Sequence, residues 1–361
     1  MKKKNELKIF VFGLMLLGIS ACAPVGEQAR YLASDQENLD NGQELVDPPE
    51  EKSPRDGLAI CSKLNFEGIE WSETLPVIER DPFALALNVT GSFEGNRGFE
   101  NLTGNFDGQG ISMGLLQQNL GQGSLQPLLI AYRDYDLTQF SAFFSAAHSK
   151  SLLAMLKKWE SRAVIAAKTL LEDNDLSTLD DPALVAEELG LDIHGTDLSF
   201  KVLLSRNQES VNWAKANALS GTKIKSDWNA QLKTLAGSGH YRSLQVGRAE
   251  VLHNRALALF DFFRLREVRS YLFFFDIIIQ NGGIPAKMRS DLKKALDAQP
   301  NLSETQKLKM ILEKRLTLVK AQWRADVRRR KTALINGKGV VHGTTRDFER
   351  EYCAKVFEAL P

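Results

Sequence analysis

A glycine-rich stretch at residues 89–129 is the feature around which we expect the rest of this 361-residue chain to fold. It has no charged residue between Asp107 and Leu129, and two of its carboxylates, Glu94 and Asp107, lie thirteen positions apart. Before it, DPFALALNVTGSFEG predicts an apolar helix that ends near Glu94, because Gly95 is a natural helix terminator. NFDGQGIS has the turn chemistry of a tight hairpin, and SMGLLQQNL predicts the start of a second apolar helix. The expected order is helix, hairpin, helix.

These two carboxylates suit glycoside hydrolysis, which uses two carboxyl groups on opposite faces of one sugar ring. One group, in an apolar setting, protonates the leaving oxygen, while the other stays ionised and activates water. Glu94 follows Phe93 at the end of an apolar helix and suits the acid. Asp107 lies in a polar turn beside small glycines and suits the base. The plainer alternatives are a solvent-exposed glutamate at a helix end and an ordinary turn aspartate.

GSFEG followed by NFDGQGISMG resembles the active-site segment of the chitosanases of glycoside hydrolase family 46. The resemblance implies a mainly α, lysozyme-like α+β fold, with two helical lobes and a small β-hairpin at the active-site cleft. It implies Glu94 as the general acid, Asp107 as the general base and Ser112 as the hydroxyl that helps hold the attacking water. That family has Thr where this chain has Ser112, and its spacing between the Glu and the Asp is longer.

GLLQ at residues 114–117 also resembles the Gly-Leu-Met-Gln run of lytic transglycosylases and goose-type lysozymes, which share the wider lysozyme-like fold. Three polar side chains of this segment are our candidates for substrate binding, namely Gln109, Gln117 and Asn119. The resemblance is more specific to this superfamily than to any one substrate.

Two later segments resemble parts of the same chitosanases. YLFFFDIIIQNGGI places Asp276 in an apolar run and resembles a buried helix whose Asp belongs to a charge network behind the active site. WRADVRRRKTALINGKG resembles an Arg-containing helix that ends in a Gly. Because a buried carboxylate needs a partner, we expect Arg324 or Arg328 to pair with Asp276. The alternatives are an ion pair with a purely structural role and an arginine cluster on a solvated face.

Most of the remaining chain carries apolar residues at helical spacing. The predicted helices are SKSLLAMLKKWESRAVIAAKTLL, SFKVLLSRNQESVNWAKANAL, SDWNAQLKTLAG and residues 245–263. The more punctuated segment 176–197 is a candidate connection between lobes. Five scattered His residues without ligand spacing lead us to predict no metal site, and nothing in the sequence calls for a cofactor.

The first residues predict a lipoprotein signal peptide at 1–21. A basic start at Lys2, Lys3 and Lys4 precedes an apolar core at residues 9–18, and ISAC forms a lipobox that would make Cys22 the lipidated first residue of the mature chain. A plain signal peptide with a coincidental Cys is the alternative. Because Ala23 rather than Asp follows, we expect sorting to the outer membrane. Residues 22–57 are acidic and punctuated by prolines, which predicts a disordered tether before a catalytic domain at 58–361.

Cys61 and Cys353 lie near the two ends of that domain and would form a disulfide in an oxidising periplasm. Two buried free thiols are the alternative. The whole chain has 46 basic and 45 acidic residues, and the domain is slightly more basic. This balance favours an acidic polymer such as peptidoglycan slightly and is too weak to indicate nucleic-acid binding. We expect a monomer.

These observations predict an outer-membrane lipoprotein whose periplasmic domain cleaves β-1,4 bonds of peptidoglycan, with inversion. The likeness to chitosanases, and to the lysozyme of predatory bacteria specialised for deacetylated peptidoglycan, implies a preference for N-deacetylated glucosamine. Free amines need acidic partners, for which Glu100 and Asp134 are candidates near the motif. A lytic transglycosylase, which needs one acid and no base, is the alternative among enzymes. A peptidoglycan-binding lipoprotein without activity is the alternative from another class.

Overall fold

The computed structural model describes residues 57–95, 97–173 and 200–361 of the chain. The predicted signal peptide, the lipidation site at Cys22 and the tether up to residue 56 lie outside these ranges. The connection predicted at residues 176–197 also lies outside them. Within these ranges no helix has the length and apolar character that a membrane span requires.

Helices dominate the described part of the chain, and short antiparallel strands join some of them, which confirms the predicted mainly α fold. The helices are α1 (Arg80–Glu94), α2 (Leu125–Tyr135), α3 (Leu137–Ala142), α4 (Ala146–Asp173), α5 (Phe200–Asn217), α6 (Ser226–Gly237), α7 (Gly239–Phe262), α8 (Val268–Asn281), α9 (Ala286–Asp297), α10 (Glu304–Leu316), α11 (Arg324–Asn336) and α12 (Phe348–Tyr352). The strands are β1 (Leu102–Thr103), β2 (Ser112–Met113), β3 (Gln118–Asn119), β4 (Leu219–Ser220), β5 (Lys223–Ile224), β6 (Lys338–Val341) and β7 (Thr344–Asp347). Helices α4 to α7 confirm the four helical runs predicted from periodicity, although α5 ends at Asn217 and Leu219, the last residue of its predicted run, lies in β4.

Helix α1 ends at Glu94, as its sequence predicted. Nearly all of its residues are buried, because the apolar run DPFALALNV offers no polar face to solvent. The chain can turn away directly after it because the next residue is Gly95. A Cβ at Gly95 would lie 2.6 Å from the side-chain oxygen of Asn101, too close for any other residue without a shift of that side chain.

The glycine-rich segment folds into a three-stranded antiparallel sheet in the order β1, β2, β3. The prediction of a helix at SMGLLQQNL was therefore wrong, since β2 and β3 lie there and α2 begins only at Leu125. The reason is local backbone geometry. Gly114 and Gln117 both have positive φ, of 89° and 52°, which interrupts a helix and closes a turn between the strands. A Cβ at Gly114 would also lie 2.5 Å from the amide oxygen of Gln245.

Two hydrophobic cores divide the described residues between them. The larger core contains α1, α8 to α12, β6 and α7 from Val246 onward, while the smaller one contains β2, β4, α2 to α6 and the start of α7. Helix α7 therefore contributes to both. Helix α8 is the centre of the larger core, because every residue from Arg269 to Asn281 is buried. Its one acidic residue, Asp276, lies at the middle of that buried helix.

The predicted disulfide between Cys61 and Cys353 is confirmed, with a Cα–Cα distance of 5.2 Å. It joins residues 292 positions apart and so ties the first part of the domain to its C-terminal end. Next to it, the backbone N–H of Cys61 donates to the carbonyl of Tyr352, and Lys63 pairs with Glu351 at 2.7 Å. The alternative of two free thiols is excluded by this geometry.

Replacing both Cys61 and Cys353 by Ser should lower the free energy of unfolding by about 3–5 kcal/mol, because the bridge closes a very long loop in the unfolded chain. Urea unfolding of the oxidised protein, the reduced protein and the double variant measures this. The reduced protein and the variant should agree. Equal midpoints for all three would show that the bridge contributes nothing to stability.

Candidate active site in the cleft lined by both cores

A cleft of about 1760 Å³ opens between elements of the two cores. From the larger core it is lined by the end of α1, the β6–β7 hairpin and α12. A second group of elements comprises residues 97–106, the β4–β5 hairpin, α6 and the start of α7. Its size and elongated lining suit a polymer rather than a small metabolite.

Glu94 reaches this cleft at the point where α1 ends. The residue is only 6% exposed, and its carboxylate accepts an ion pair from Arg330 of α11 at 2.8 Å. The guanidinium of Arg330 also lies over the ring of Phe93, 4.6 Å from its centroid. The apolar face of α1 and the cation behind it therefore hold the Glu94 carboxylate in a fixed position, shielded from solvent, at a residue that lines the cleft.

Behind Glu94, Arg330 belongs to a buried charge network. Its Nε lies 3.0 Å from each carboxylate oxygen of Asp276, and its terminal nitrogen contacts Asp276 as well. Lys331 donates to the Asp276 carboxylate, to the Asp276 carbonyl at 3.0 Å and to Gln280 at 2.8 Å. The side chains of Glu94, Asp276, Arg330 and Lys331 have no solvent exposure. Two carboxyl groups thus face two cations, so the buried cations have acidic partners.

The pKa values in this network reflect competition between burial and pairing. Burial alone would raise the pKa of Asp276, but the charges of Arg330 and Lys331 outweigh it and hold that pKa below its usual value. Burial lowers the pKa of Lys331 to about 8, although Asp276 acts in the opposite direction. Asp276 is therefore ionised at neutral pH and accepts most of the hydrogen bonds from both cations.

Asp107 lies in the loop between β1 and β2, at residues 104–111, and is half-buried. Its carboxylate accepts a hydrogen bond from the backbone N–H of Gln109 at 3.0 Å. The preceding residue, Phe106, lines the cleft, whereas Asp107 lies one residue beyond that lining. The loop is fastened on this side, because the N–H of Asn105 donates to the carbonyl of Thr222 at 2.9 Å. The structure thus places Glu94 in the cleft lining, and it places Asp107 outside that lining, next to Phe106 in the chain.

Ser112 is buried on β2, directly opposite Thr103 of β1 in the antiparallel register. Opposite residues of paired strands project to the same face of a sheet, so both hydroxyls lie on one face. Thr103 lines the cleft and donates to the side-chain oxygen of Gln117 at 2.8 Å. Ser112 is therefore one strand away from a cleft residue.

The three predicted substrate-binding residues, Gln109, Gln117 and Asn119, all lie outside the cleft lining. Gln117 is buried and bonds Thr103 and the carbonyl of Gly114. Asn119 is buried and holds the turn that contains Gln122, at 2.8 Å. Gln109 packs against Gly121. These amide side chains form hydrogen bonds and contacts that hold the tight turns of a glycine-rich segment. The sequence pattern does not distinguish this structural role from ligand binding.

The prediction that Asp276 pairs with Arg324 or Arg328 was wrong, because its partners are Arg330 and Lys331. Arg324 donates to the carbonyl of Val319, and Arg328 pairs with Glu313 on the surface at 2.6 Å. The cause is helical geometry. Arg328 lies about 200° around α11 from Arg330, and Arg324 lies about 9 Å before it along the axis.

Sequence reasoning missed Arg330 and Lys331, although a signal for them existed. The buried apolar residues Val327 and Leu334 of α11 lie seven positions apart, which marks one face of the helix. Residues three and four positions after Val327 fall on that face, and these are Arg330 and Lys331. A cation at a buried helical position predicts a buried carboxylate partner.

Comparison with solved structures gives distant structural overlaps, two of which are with chitosanases. No protein-family model and no curated protein matches the chain. A chitosanase in a complex overlaps with a TM-score of 0.41 at 13% identity, over 74% of this chain and 95% of that one. A chitosanase co-crystallised with substrate overlaps with a TM-score of 0.41 at 14% identity, over 74% and 94% of the two chains. We assign residue roles from the cleft itself and not from these overlaps.

Replacing Arg330 by Met should lower the free energy of unfolding by about 3–5 kcal/mol, because it leaves two buried carboxylates with one cation between them. Denaturant unfolding measures this loss, and failure to obtain folded protein would agree with it. The matched control is Arg328→Met, two residues away, which breaks only an exposed pair and should leave the midpoint almost unchanged. Equal small effects of both substitutions would contradict a buried network at Arg330.

Proposed function

We propose that this protein is a glycoside hydrolase that cleaves β-1,4 bonds of an amino-sugar polymer, with Glu94 as the general acid. One observation carries the proposal most: Glu94 lines a large cleft, and its side chain is shielded from solvent and held between an apolar helix end and a buried Arg330–Asp276 pair. Such a carboxylate has a fixed position and an environment that excludes bulk water, as proton transfer to a glycosidic oxygen requires.

The network gives Glu94 a means of carrying charge through the reaction. When Glu94 donates its proton, its carboxylate becomes an anion beside Arg330, 2.8 Å away. Because Asp276 already binds Arg330 through several contacts, that cation stays in place while Glu94 changes charge. Arg330 and Asp276 thus act as positioning residues, which support the group that touches substrate.

In the proposed reaction, Asp107 takes a proton from a water molecule that attacks the anomeric carbon, and Ser112 helps to hold that water. Support comes from the motif NFDGQGISMG and from the place of its loop beside Phe106 at the cleft. Attack from the face opposite the leaving group inverts the anomeric carbon. The loop is anchored to the β4–β5 hairpin, which keeps Asp107 near the edge of the cleft.

We propose that the polymer is peptidoglycan. We also propose that the protein is a lipoprotein anchored in the outer membrane through Cys22. The lipobox ISAC and the acidic segment after it support this address. The preference for N-deacetylated glucosamine has less support. Of the two acidic candidates for binding free amines, Glu100 lines the cleft, but Asp134 pairs with Arg133 on α2 away from it.

A lytic transglycosylase is the second candidate, and one observation favours it. Glu94 lines the cleft and Asp107 does not, as a mechanism with one acid and no base requires. A wall-binding lipoprotein without activity remains the candidate from another class, and it would retain glycan without releasing fragments.

Glu94→Gln should lower kcat on peptidoglycan by about 10²- to 10⁴-fold, since an amide cannot donate the proton. Asp107→Asn should cause a loss in the same range if water is activated there. Release of soluble fragments by the full chain in non-ionic detergent measures both. Asp291→Asn is the control, because it removes an exposed carboxylate on α9 outside the cleft lining and should keep activity within a few-fold.

Full activity of a folded Glu94→Gln variant would contradict the proposal. Loss of activity in Glu94→Gln with full activity in Asp107→Asn would favour the transglycosylase.

A further inference from the structure

One part of the cleft carries four cationic side chains, which we call the basic wall: Arg97, Lys223, Lys233 and Arg242. They come from neighbouring elements. Lys223 lies on β5, Lys233 on α6 and Arg242 at the start of α7, while Arg97 begins the 97–106 segment that packs on α6. Arg97 and Lys223 are exposed, and the other two are half-buried.

Among the residues that the structure describes, no ion pair with a carboxylate is seen for the basic wall. Arg242 donates to two backbone carbonyls, those of Asn65 at 2.8 Å and Glu67 at 3.2 Å. Carbonyl oxygens orient a guanidinium but do not cancel its charge. The wall therefore keeps its positive charge for whatever enters the cleft.

Elsewhere in the cleft several charged side chains are already paired with one another. Glu351 pairs with Lys63 at 2.7 Å and with Arg346 at 2.8 Å, which accounts for three charged groups of the lining. These pairs hold the pKa of Glu351 at about 2, against the effect of its burial, so it stays ionised in the working pH range. Asp347 accepts from the N–H of Arg350 and begins α12.

The remaining acidic groups of the lining do not balance the basic wall. Glu94 is engaged by Arg330 behind the cleft. Glu100 is exposed and lies against Gly237 of α6, 2.7 Å from where a Cβ would be. The exposed Glu100 and the half-buried Asp347 thus face the four cations of the basic wall, and Arg350 on α12 adds a further exposed cation.

We infer that the cleft selects an amino-sugar polymer that carries carboxylates and disfavours a polycationic glucosamine polymer. The inference rests on the proposed function for the identity of the glycan. The basic wall adds that the preferred substrate carries negative charge. The free carboxylates of peptidoglycan side chains are the partners with the matching chemistry. Like charges placed opposite each other cost affinity, so the wall also acts against an ammonium-bearing chain.

This inference reverses the expected preference for N-deacetylated glucosamine. Each removed acetyl group leaves an amine that is protonated in mildly acidic solution, and the basic wall repels it in that form. Acetylated, carboxylate-rich peptidoglycan is the better substrate on this reasoning.

Binding of the full chain carrying Glu94→Gln, measured without turnover by co-sedimentation at pH 6, tests the inference. The probes are purified peptidoglycan sacculi, the same sacculi with carboxylates converted to amides, and chitosan. Sacculi should bind best, and both amidation and an increase of salt from about 50 to 300 mM should weaken binding. Adding Lys223→Gln and Lys233→Gln should lower affinity for sacculi about fivefold and leave the amidated sacculi unaffected.

Lys287→Gln is the matched control, since Lys287 is 89% exposed on α9 and is not part of the cleft lining. Chitosan binding as tight as sacculi, or equal binding of native and amidated sacculi, would overturn the inference. These outcomes are separate from the proposed hydrolysis. Cleavage of chitosan by the native chain would support the proposed hydrolase and contradict the selection for carboxylates. Carboxylate-dependent binding without cleavage would support that selection and contradict the proposed hydrolase.

Discussion

The contact between Arg330 and two carboxylates is the interaction on which the rest of the structure depends. Removing four charged side chains from water is costly, and the cost is offset only when anions and cations meet with good geometry. Here Glu94 of α1, Asp276 of α8 and the Arg330–Lys331 pair of α11 meet with no solvent exposure. The network therefore fixes the relative positions of three helices in the larger core, and it does so at the floor of the cleft.

The cleft has two electrostatic regions with different consequences. Near α12 the charges are paired internally, by Glu351 with Lys63 and Arg346 beside the disulfide, so that region holds shape rather than ligand charge. Around α6 the basic wall has hydrogen-bond donors without anionic partners among the described residues. The region near α12 therefore maintains the shape of the cleft, and the basic wall around α6 determines the sign of the charge that a ligand must carry. This division explains how a domain of nearly balanced composition can still present a charged binding surface.

Much of the fold was predictable because local rules decide it. Apolar periodicity located α4 to α7, and an apolar run followed by glycine located the end of α1 at Glu94. Features that depend on tertiary contacts were not predictable in the same way. Turns at Gly114 and Gln117 replaced a predicted helix with strands, because neighbours such as Gln245 set the backbone there. The partner of Asp276 depended on which face of α11 is buried. Because arginines occupy successive positions of that helix, the sequence alone did not show which of them faces the core.

The most direct test of the account is mass spectrometry of the fragments that the full chain releases from native peptidoglycan, with Glu94→Gln in parallel. The account predicts glycan fragments with hydrated reducing ends, because water attacks the anomeric carbon, and it predicts their disappearance in the variant. Fragments with anhydro ends would contradict hydrolysis and assign the cleft to a transglycosylase. Intact glycan retained by the folded native protein would contradict catalysis altogether.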